Sequence, residues 1–171
     1  MGCFGLVPPW ADITSARRCY NARSETVAQR PSFRRAWSRG QLAVIPMVAF
    51  YEMHYGAPGV GIRHRIERRD GAVFGVAGLW EHREDAGGPE WSFTLLTIAA
   101  AGHPLMGRMH GPADEKRSIV ILDAGAWGAW LEARSVSERL ALLRLFDADQ
   151  MRDEPAPLPP RNADDRQGSL L

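Results

Sequence analysis

Ile62-Arg63-His64-Arg65-Ile66-Glu67-Arg68-Arg69-Asp70-Gly71-Ala72-Val73-Phe74-Gly75-Val76-Ala77-Gly78-Leu79 makes the most direct statement about fold in this chain. From Ile62 to Arg68 apolar and charged side chains alternate, which is the period of a half-buried strand, and Val73 to Leu79 returns as a second run of β-formers. Asp70-Gly71 between them is turn chemistry, because glycine accepts the positive φ of a tight reversal. The stretch therefore predicts a β-hairpin. Working outward, Leu42 to Ile45, bent at Pro46 and resumed from Val48 to Glu52, reads as an interrupted strand, and Gly56 to Gly61 as a glycine-rich loop. Trp91 to Ile98 and Arg117 to Leu122 add further strands. At the start of the chain, Phe4, Leu6 and Val7 suggest a short strand stopped by Pro8 and Pro9.

Short helical segments lie between these runs. Pro31 is placed to open one that contains Phe33, Ala36 and Trp37 and stops at Gly40, and Pro104 opens another ahead of His110. Asp123 is a candidate cap for a helix bearing Trp127 and Trp130, and Ser135-x-x-Glu138 is a capping box ahead of Leu140, Leu142, Leu143, Leu145 and Phe146. Many short antiparallel strands with small helices between them predict an α+β fold: one domain, mostly antiparallel sheet or distorted barrel, with short peripheral helices. Its expected limits are residues 1–152, with the proline-rich residues 153–171 as a flexible tail.

Composition narrows the class. A chain of 171 residues with 45% hydrophobic and 24% charged side chains suits one self-sufficient domain. No apolar run reaches the roughly 18 residues that span a bilayer, and the N-terminus lacks a basic region followed by an apolar core, so a cytoplasmic protein without a membrane partner is expected. Cys3 and Cys19 form no Cys-x-x-Cys pair and lie at no zinc-like spacing from histidine, so neither a metal nor another cofactor is expected. Phosphate-loop, nucleophile-elbow and His-Glu-x-x-His patterns are missing as well. A monomer is expected.

One local feature departs from this average. From Arg17 and Arg18 through Arg23, Arg30, Arg34, Arg35 and Arg39 there are seven arginines and one acid, Glu25, in a molecule of net charge +1. Such a cluster is what the phosphates of a polyanion would find, and equally what a solvated helix face looks like. Lys116 is the only lysine. Guanidinium groups hold phosphates through paired hydrogen bonds, although codon bias gives the same global ratio, so only the clustering bears on binding.

Three polar residues are oddly placed: Asn21 among the arginines, Glu52 at the end of an apolar strand, and His110 just before Gly111-Pro112. A carboxyl in apolar surroundings keeps its proton toward neutrality, and histidine titrates in the same range, so the pair suits proton transfer. A structural hydrogen bond or a surface position explains each residue separately. Cys19 with His110 is a possible thiol pair only if the fold brings them together.

The order of the segments says more than any one of them. Gly5-Leu6-Val7-Pro8-Pro9-Trp10-Ala11, Asn21-Ala22-Arg23-Ser24-Glu25-Thr26, Ala49-Phe50-Tyr51-Glu52, Ala77-Gly78-Leu79-Trp80-Glu81, and Pro104-Leu105-Met106 leading to His110 and Lys116-Arg117 together resemble the SRAP family, the SOS-response-associated peptidases. The resemblance runs from about Phe4 to Leu131 and implies a sensor of abasic sites in single-stranded DNA. In that family a cysteine after the initiator methionine is exposed by self-processing, and its amine and thiol condense with the sugar aldehyde to a thiazolidine. By resemblance Glu52 and His110 transfer protons, Asn21 positions the amine, Arg23 contacts phosphate with Arg17 and Arg18 near it, and Phe4 and Trp10 offer rings to bases. Ser118-Ile119 stand where the family has Met-Pro, and Leu42-Ala43 where it has Arg-Cys. The sequence as written starts inside the family pattern, without the Met-Cys segment. Two alternatives therefore accompany covalent capture: a module that binds single-stranded or junction DNA without crosslinking, and a thiol hydrolase using Cys3 or Cys19.

Overall fold

The computed structural model describes residues 2–57, 60–84 and 90–158. In chain order the strands are β1 (Gly2–Phe4), β2 (Asn21–Arg23), β3 (Leu42–Met47), β4 (Phe50–Ala57), β5 (Val60–Arg68), β6 (Phe74–His82), β7 (Trp91–Ala99), β8 (Arg117–Ile119), β9 (Ile121–Leu122) and β10 (Met151–Pro155). Helices are short: α1 (Arg34–Arg39), α2 (Trp127–Glu132) and α3 (Val136–Leu142), with single 3-10 turns elsewhere. Among the described residues these make a seven-stranded sheet and a three-stranded sheet, the latter ordered β10-β5-β4. The fold is α+β and dominated by sheet.

The predicted 62–79 hairpin does not form. β5 pairs on one side with β4 and on the other with β10, whereas β6 pairs with β3 and with β7 and β9. Both strands have their hydrogen-bonding edges filled by other partners, so residues 69–73 carry the chain from one sheet to the other. The turn itself survives: Gly71 has φ +71°, and its N–H donates to Arg68 O at 3.0 Å. The hairpin is instead β4–β5, with Tyr51 facing Arg65 and Glu52 facing His64. Both strands extend into the stretch read as a glycine loop, of which residues 58 and 59 lie outside the described residues.

Within the large sheet, β6 and β7 pair from Gly78–Leu95 to His82–Trp91 and then part. Residues 117–122 enter the gap, Val120 N–H donating to Leu96 O and Ala77 N–H donating to Val120 O, each at 2.9 Å. On its far edge β7 takes β1 and β2, both parallel to it. Strand alternation then sends neighbouring residues to opposite faces, and each face has its own core. Ala77, Leu79, Leu96 and Val120 join Trp37 and Trp130 under α1 and α2. Val76, Leu95, Ile119 and Ile121 meet Ile66 and Met151 of the small sheet. Trp130 is fully buried and its Nε1–H donates to Ala43 O at 2.9 Å, which docks α2 on β3.

Other details correct the sequence reading. Leu6 and Val7 are buried but lie beyond β1, because the chain turns at Gly5, whose φ is +101° and where a Cβ would stand 2.2 Å from Ala16 O. Residues 24–33 form turns, α1 begins at Arg34, and Gly40 ends it in the left-handed conformation, φ +65°. Asp123 makes no side-chain cap and pairs with Arg68 at 3.8 Å instead. The capping box at Ser135 and Glu138 forms, yet Leu140 is exposed and the helix stops at Leu142. The boundary placed at Asp153 falls inside β10: Asp153 pairs with Ile66 in the ladder. Residues 159–171 of the expected tail lie outside the described residues.

Candidate functional site

Glu52 sits near the start of β4, where alternation puts it on the same face as Phe50, a neighbour of the second core. Its partner arrives from a separate segment. After the 3-10 turn Met106–Arg108, His110 adopts φ +65°, the only positive φ of a non-glycine among the described residues. That conformation costs a side-chain-bearing residue about 1–2 kcal/mol and persists only where the surroundings hold it. Here they do. His110 N–H donates to Met53 O at 2.6 Å, and Lys116 Nζ donates to His110 O at 3.1 Å and to Gly111 O at 2.7 Å. The sole lysine is thus a clamp on this turn.

The result is His110 Nε2 at 3.4 Å from Glu52 Oε2, with both side chains mostly buried. Burial pushes the Glu52 carboxyl above its ordinary value, and the opposing pull of His110 is weaker. His110 Nδ1 is buried without a hydrogen-bond partner, so no neighbour locks the imidazole tautomer. A carboxyl whose neutral form burial favours, beside an imidazole whose Nδ1 has no fixed partner, is placed for acid–base transfer at one substrate. His64, cross-strand from Glu52, is held through Nδ1 by Asp153 at 2.7 Å, and its ring lies 4.8 Å from that of His54. Reading Asp153 as tail hid this second pair from the sequence.

The other predicted residues are placed as follows. Asn21 is exposed on β2 opposite Leu95, and no hydrogen bond joins its side chain to Glu52 or His110. Arg23, two residues on, forms an ion pair with Glu115 at 2.8 Å. Glu115 also pairs with Arg117 at 2.5 Å, and Arg117 reaches Glu25 at 2.8 Å and Thr97 O at 2.9 Å. The conspicuous acid of the arginine-rich stretch is therefore neutralised across the sheet by Arg117, a contact no local pattern announces. Arg17 and Arg18 are exposed at the end of a 3-10 turn and line a cleft of about 560 Å³ with Thr14, Ser15 and Ser32. Phe4 stacks on Phe93, and Trp10 is 67% exposed. Cys19 is buried in the first core and Cys3 Sγ donates to Phe4 O at 3.4 Å, and among the described residues no hydrogen bond joins either thiol to a histidine. Among the described residues no group of three His, Cys, Asp or Glu could hold a metal ion, and no helix is long and apolar enough to cross a membrane.

Comparison with known proteins agrees with this architecture. The pattern of the SOS response associated peptidase (SRAP) family matches residues 1–156. The chain belongs to the SRAP family. Two curated relatives from Bacillus subtilis (strain 168) are abasic site processing proteins: YoqW, 30% identical over 86% of this chain and 64% of its own length, and YoaM, 32% identical over 86% and 63%. The chain thus spans slightly less than two thirds of these relatives. A crystal structure from Bordetella bronchiseptica, 36% identical, superposes with a TM-score of 0.81 over 92% of this chain and 76% of that one. Another, from Bacteroides thetaiotaomicron, shares the fold at 24% identity and a TM-score of 0.76, covering 89% of this chain and 66% of its own. The SRAP pattern runs through β10, past the boundary read from sequence at residue 152.

Proposed function

We propose that this SRAP chain acts on abasic sites in single-stranded DNA, with Glu52 and His110 as its proton-transfer pair. The observation that carries this is their 3.4 Å contact, built from two separate segments and held by a strained backbone. Family membership and the names of the curated relatives support the substrate class.

An abasic deoxyribose is mostly a closed hemiacetal. Opening it breaks the C1′–O4′ bond, puts a proton on O4′, removes one from the C1′ hydroxyl and leaves an aldehyde. Glu52, whose neutral form burial favours, is suited to give the first proton, and His110, 3.4 Å away, to take the second. Attack by an amine on the aldehyde with loss of water gives an imine, and addition of a thiol across its C=N bond closes a thiazolidine. Those steps use the same exchange of one proton given and one taken. On this reading Asn21 orients the amine, Arg23, Arg17 and Arg18 hold phosphates, and Phe4 and Trp10 meet bases, while self-processing of a leader uses the same pair.

A second reading is binding without covalent capture, in which neither Cys3 nor Cys19 acts as nucleophile. The nitrogen of Cys3 is a peptide nitrogen within β1, and Cys19 is buried, so neither presents an amine and a thiol together. The experiment that separates the readings incubates the protein with an abasic single strand and resolves it under denaturing conditions. A heat-stable protein–DNA band supports capture. Its absence, with binding that favours the abasic strand, is salt-sensitive and is weakened by Arg23→Ala, supports holding alone. Equal treatment of abasic and intact strands in both assays would sink the proposal.

A further inference from the structure

The face of the large sheet that looks toward the small one carries a row of aromatic rings beyond the end of the second core. Tyr20 and Phe4 have ring centroids 4.8 Å apart, and Phe4 stacks on Phe93 at 5.3 Å with planes 25° apart. Across the β6–β7 ladder Phe93 is the direct partner of Trp80, and on a rung further out Trp91 is the partner of His82. Trp91 meets Trp80 at 5.4 Å and His82 at 4.3 Å. Alternation places Trp91 and Phe93 on the face of Leu95, and Trp80 and His82 on the face of Val76, both members of the second core. None of the six rings belongs to either core. Phe4, Tyr20 and Trp91 are 44%, 40% and 43% exposed.

A contiguous uncovered strip of this kind marks an interaction surface, and its chemistry selects the occupant. The exposed members, Phe4, Tyr20 and Trp91, are all rings, and each is in contact with a further ring of the row. Arg17 and Arg18, just ahead of Tyr20 in the chain, are exposed and make no ion pair among the described residues. Exposed rings in mutual contact, with two exposed guanidinium groups two and three residues away in the chain, match unpaired bases on a phosphate backbone better than an apolar protein segment.

We infer that this strip is a stacking platform for intact unpaired bases on the strand that flanks the lesion. One base lies over the Phe4–Tyr20 end and one over the Trp91–His82 end, with Arg17 and Arg18 on the phosphates beside Tyr20. The inference rests on the DNA-binding reading above and extends it from Phe4 to a continuous row of rings that reaches Trp91 and His82.

Fluorescence anisotropy with two short single strands of equal length tests it: an intact thymidine strand, and one made wholly of base-free tetrahydrofuran sugars. Trp91→Ala and Phe4→Ala should each weaken binding of the intact strand by roughly 5- to 150-fold and leave the base-free strand unaffected. Trp91→Leu, which keeps an apolar side chain but no ring, should behave like the alanine variant. Arg17→Ala should weaken both strands and flatten their salt dependence. Wild-type binding by Trp91→Leu, or equal losses on the two strands, would overturn the platform. So would a dimer at assay concentrations that Trp91→Ala dissociates, since a second copy would then cover the strip. If abasic strands are still captured or preferred while ring replacements change nothing, the platform falls and the proposed function stands. If neither strand binds at all, both fall.

Discussion

Replacing Glu52 by glutamine should change how stability depends on pH more than it changes stability in acid. Burial holds the folded-state pKa of Glu52 above its ordinary value of 4.5, against the weaker pull of His110. Below 4.5 the folded and unfolded chains both carry the proton, and the favourable contribution is complete. Between 4.5 and the folded-state value, the folded chain keeps a proton that the unfolded chain has released, so stability falls as the pH rises through that window. Glutamine resembles the protonated acid and has no such loss. On passing from about pH 4 to about pH 8, the variant should therefore gain on wild type by about 1.4 kcal/mol for each unit of pKa displacement. Loss of the contact with His110 works the other way, by about 0–1 kcal/mol for a pair that solvent still reaches. Urea unfolding followed by tryptophan fluorescence across this range measures the difference directly. Parallel curves, or a wild type that gains on the variant as pH rises, would refute the claim that Glu52 holds its proton.

Other outcomes follow from contacts elsewhere. Arg23 is tied to Glu115 by an exposed pair, 55% and 45% exposed, worth about 0.2–1 kcal/mol. Glu115→Gln should therefore raise affinity for single-stranded DNA by roughly 1.5- to 5-fold at low salt, fading as salt is added, in an anisotropy titration. Gly78→Ala puts a Cβ 2.3 Å from Ile45 Cδ1 and 2.5 Å from the backbone oxygen of Thr94, which the ladder holds in place. It should cost about 1–3 kcal/mol and lower the melting temperature without altering the salt dependence of DNA binding.

What the sequence could and could not show follows from the range of each signal. Alternation in Ile62 to Arg68 is set by one half-buried face, so it was readable; the partner of β5 is set by β10, more than eighty residues away, and no turn residue encodes that. Asp70-Gly71 made a turn as its chemistry requires, but a turn reverses the chain without obliging the flanking strands to pair. The capping box and Gly40 depend on neighbours within one helical turn and form as read. Prolines after Glu154 suggested a tail, yet Asp153 and its neighbours are held in the sheet by the ladder with β5 and by Arg108 and His64. Of the candidate site, Glu52 and His110 were legible as oddly placed groups and through family order. Their contact depends on the positive φ of His110 and the Lys116 clamp, and neither leaves a local trace.

The most direct test of the central claim is the rate of ring opening at an abasic sugar bound to the protein. It is read by NMR exchange between hemiacetal and aldehyde at an isotopically labelled C1′ in a single strand. Bound wild-type protein should accelerate the exchange over free DNA, with the rate falling as pH rises through the raised pKa of Glu52. Glu52→Gln and His110→Ala should each remove about 10²- to 10⁴-fold of that acceleration while leaving the strand bound. An exchange rate unchanged in both variants would contradict the assignment of Glu52 and His110 as the proton-transfer pair.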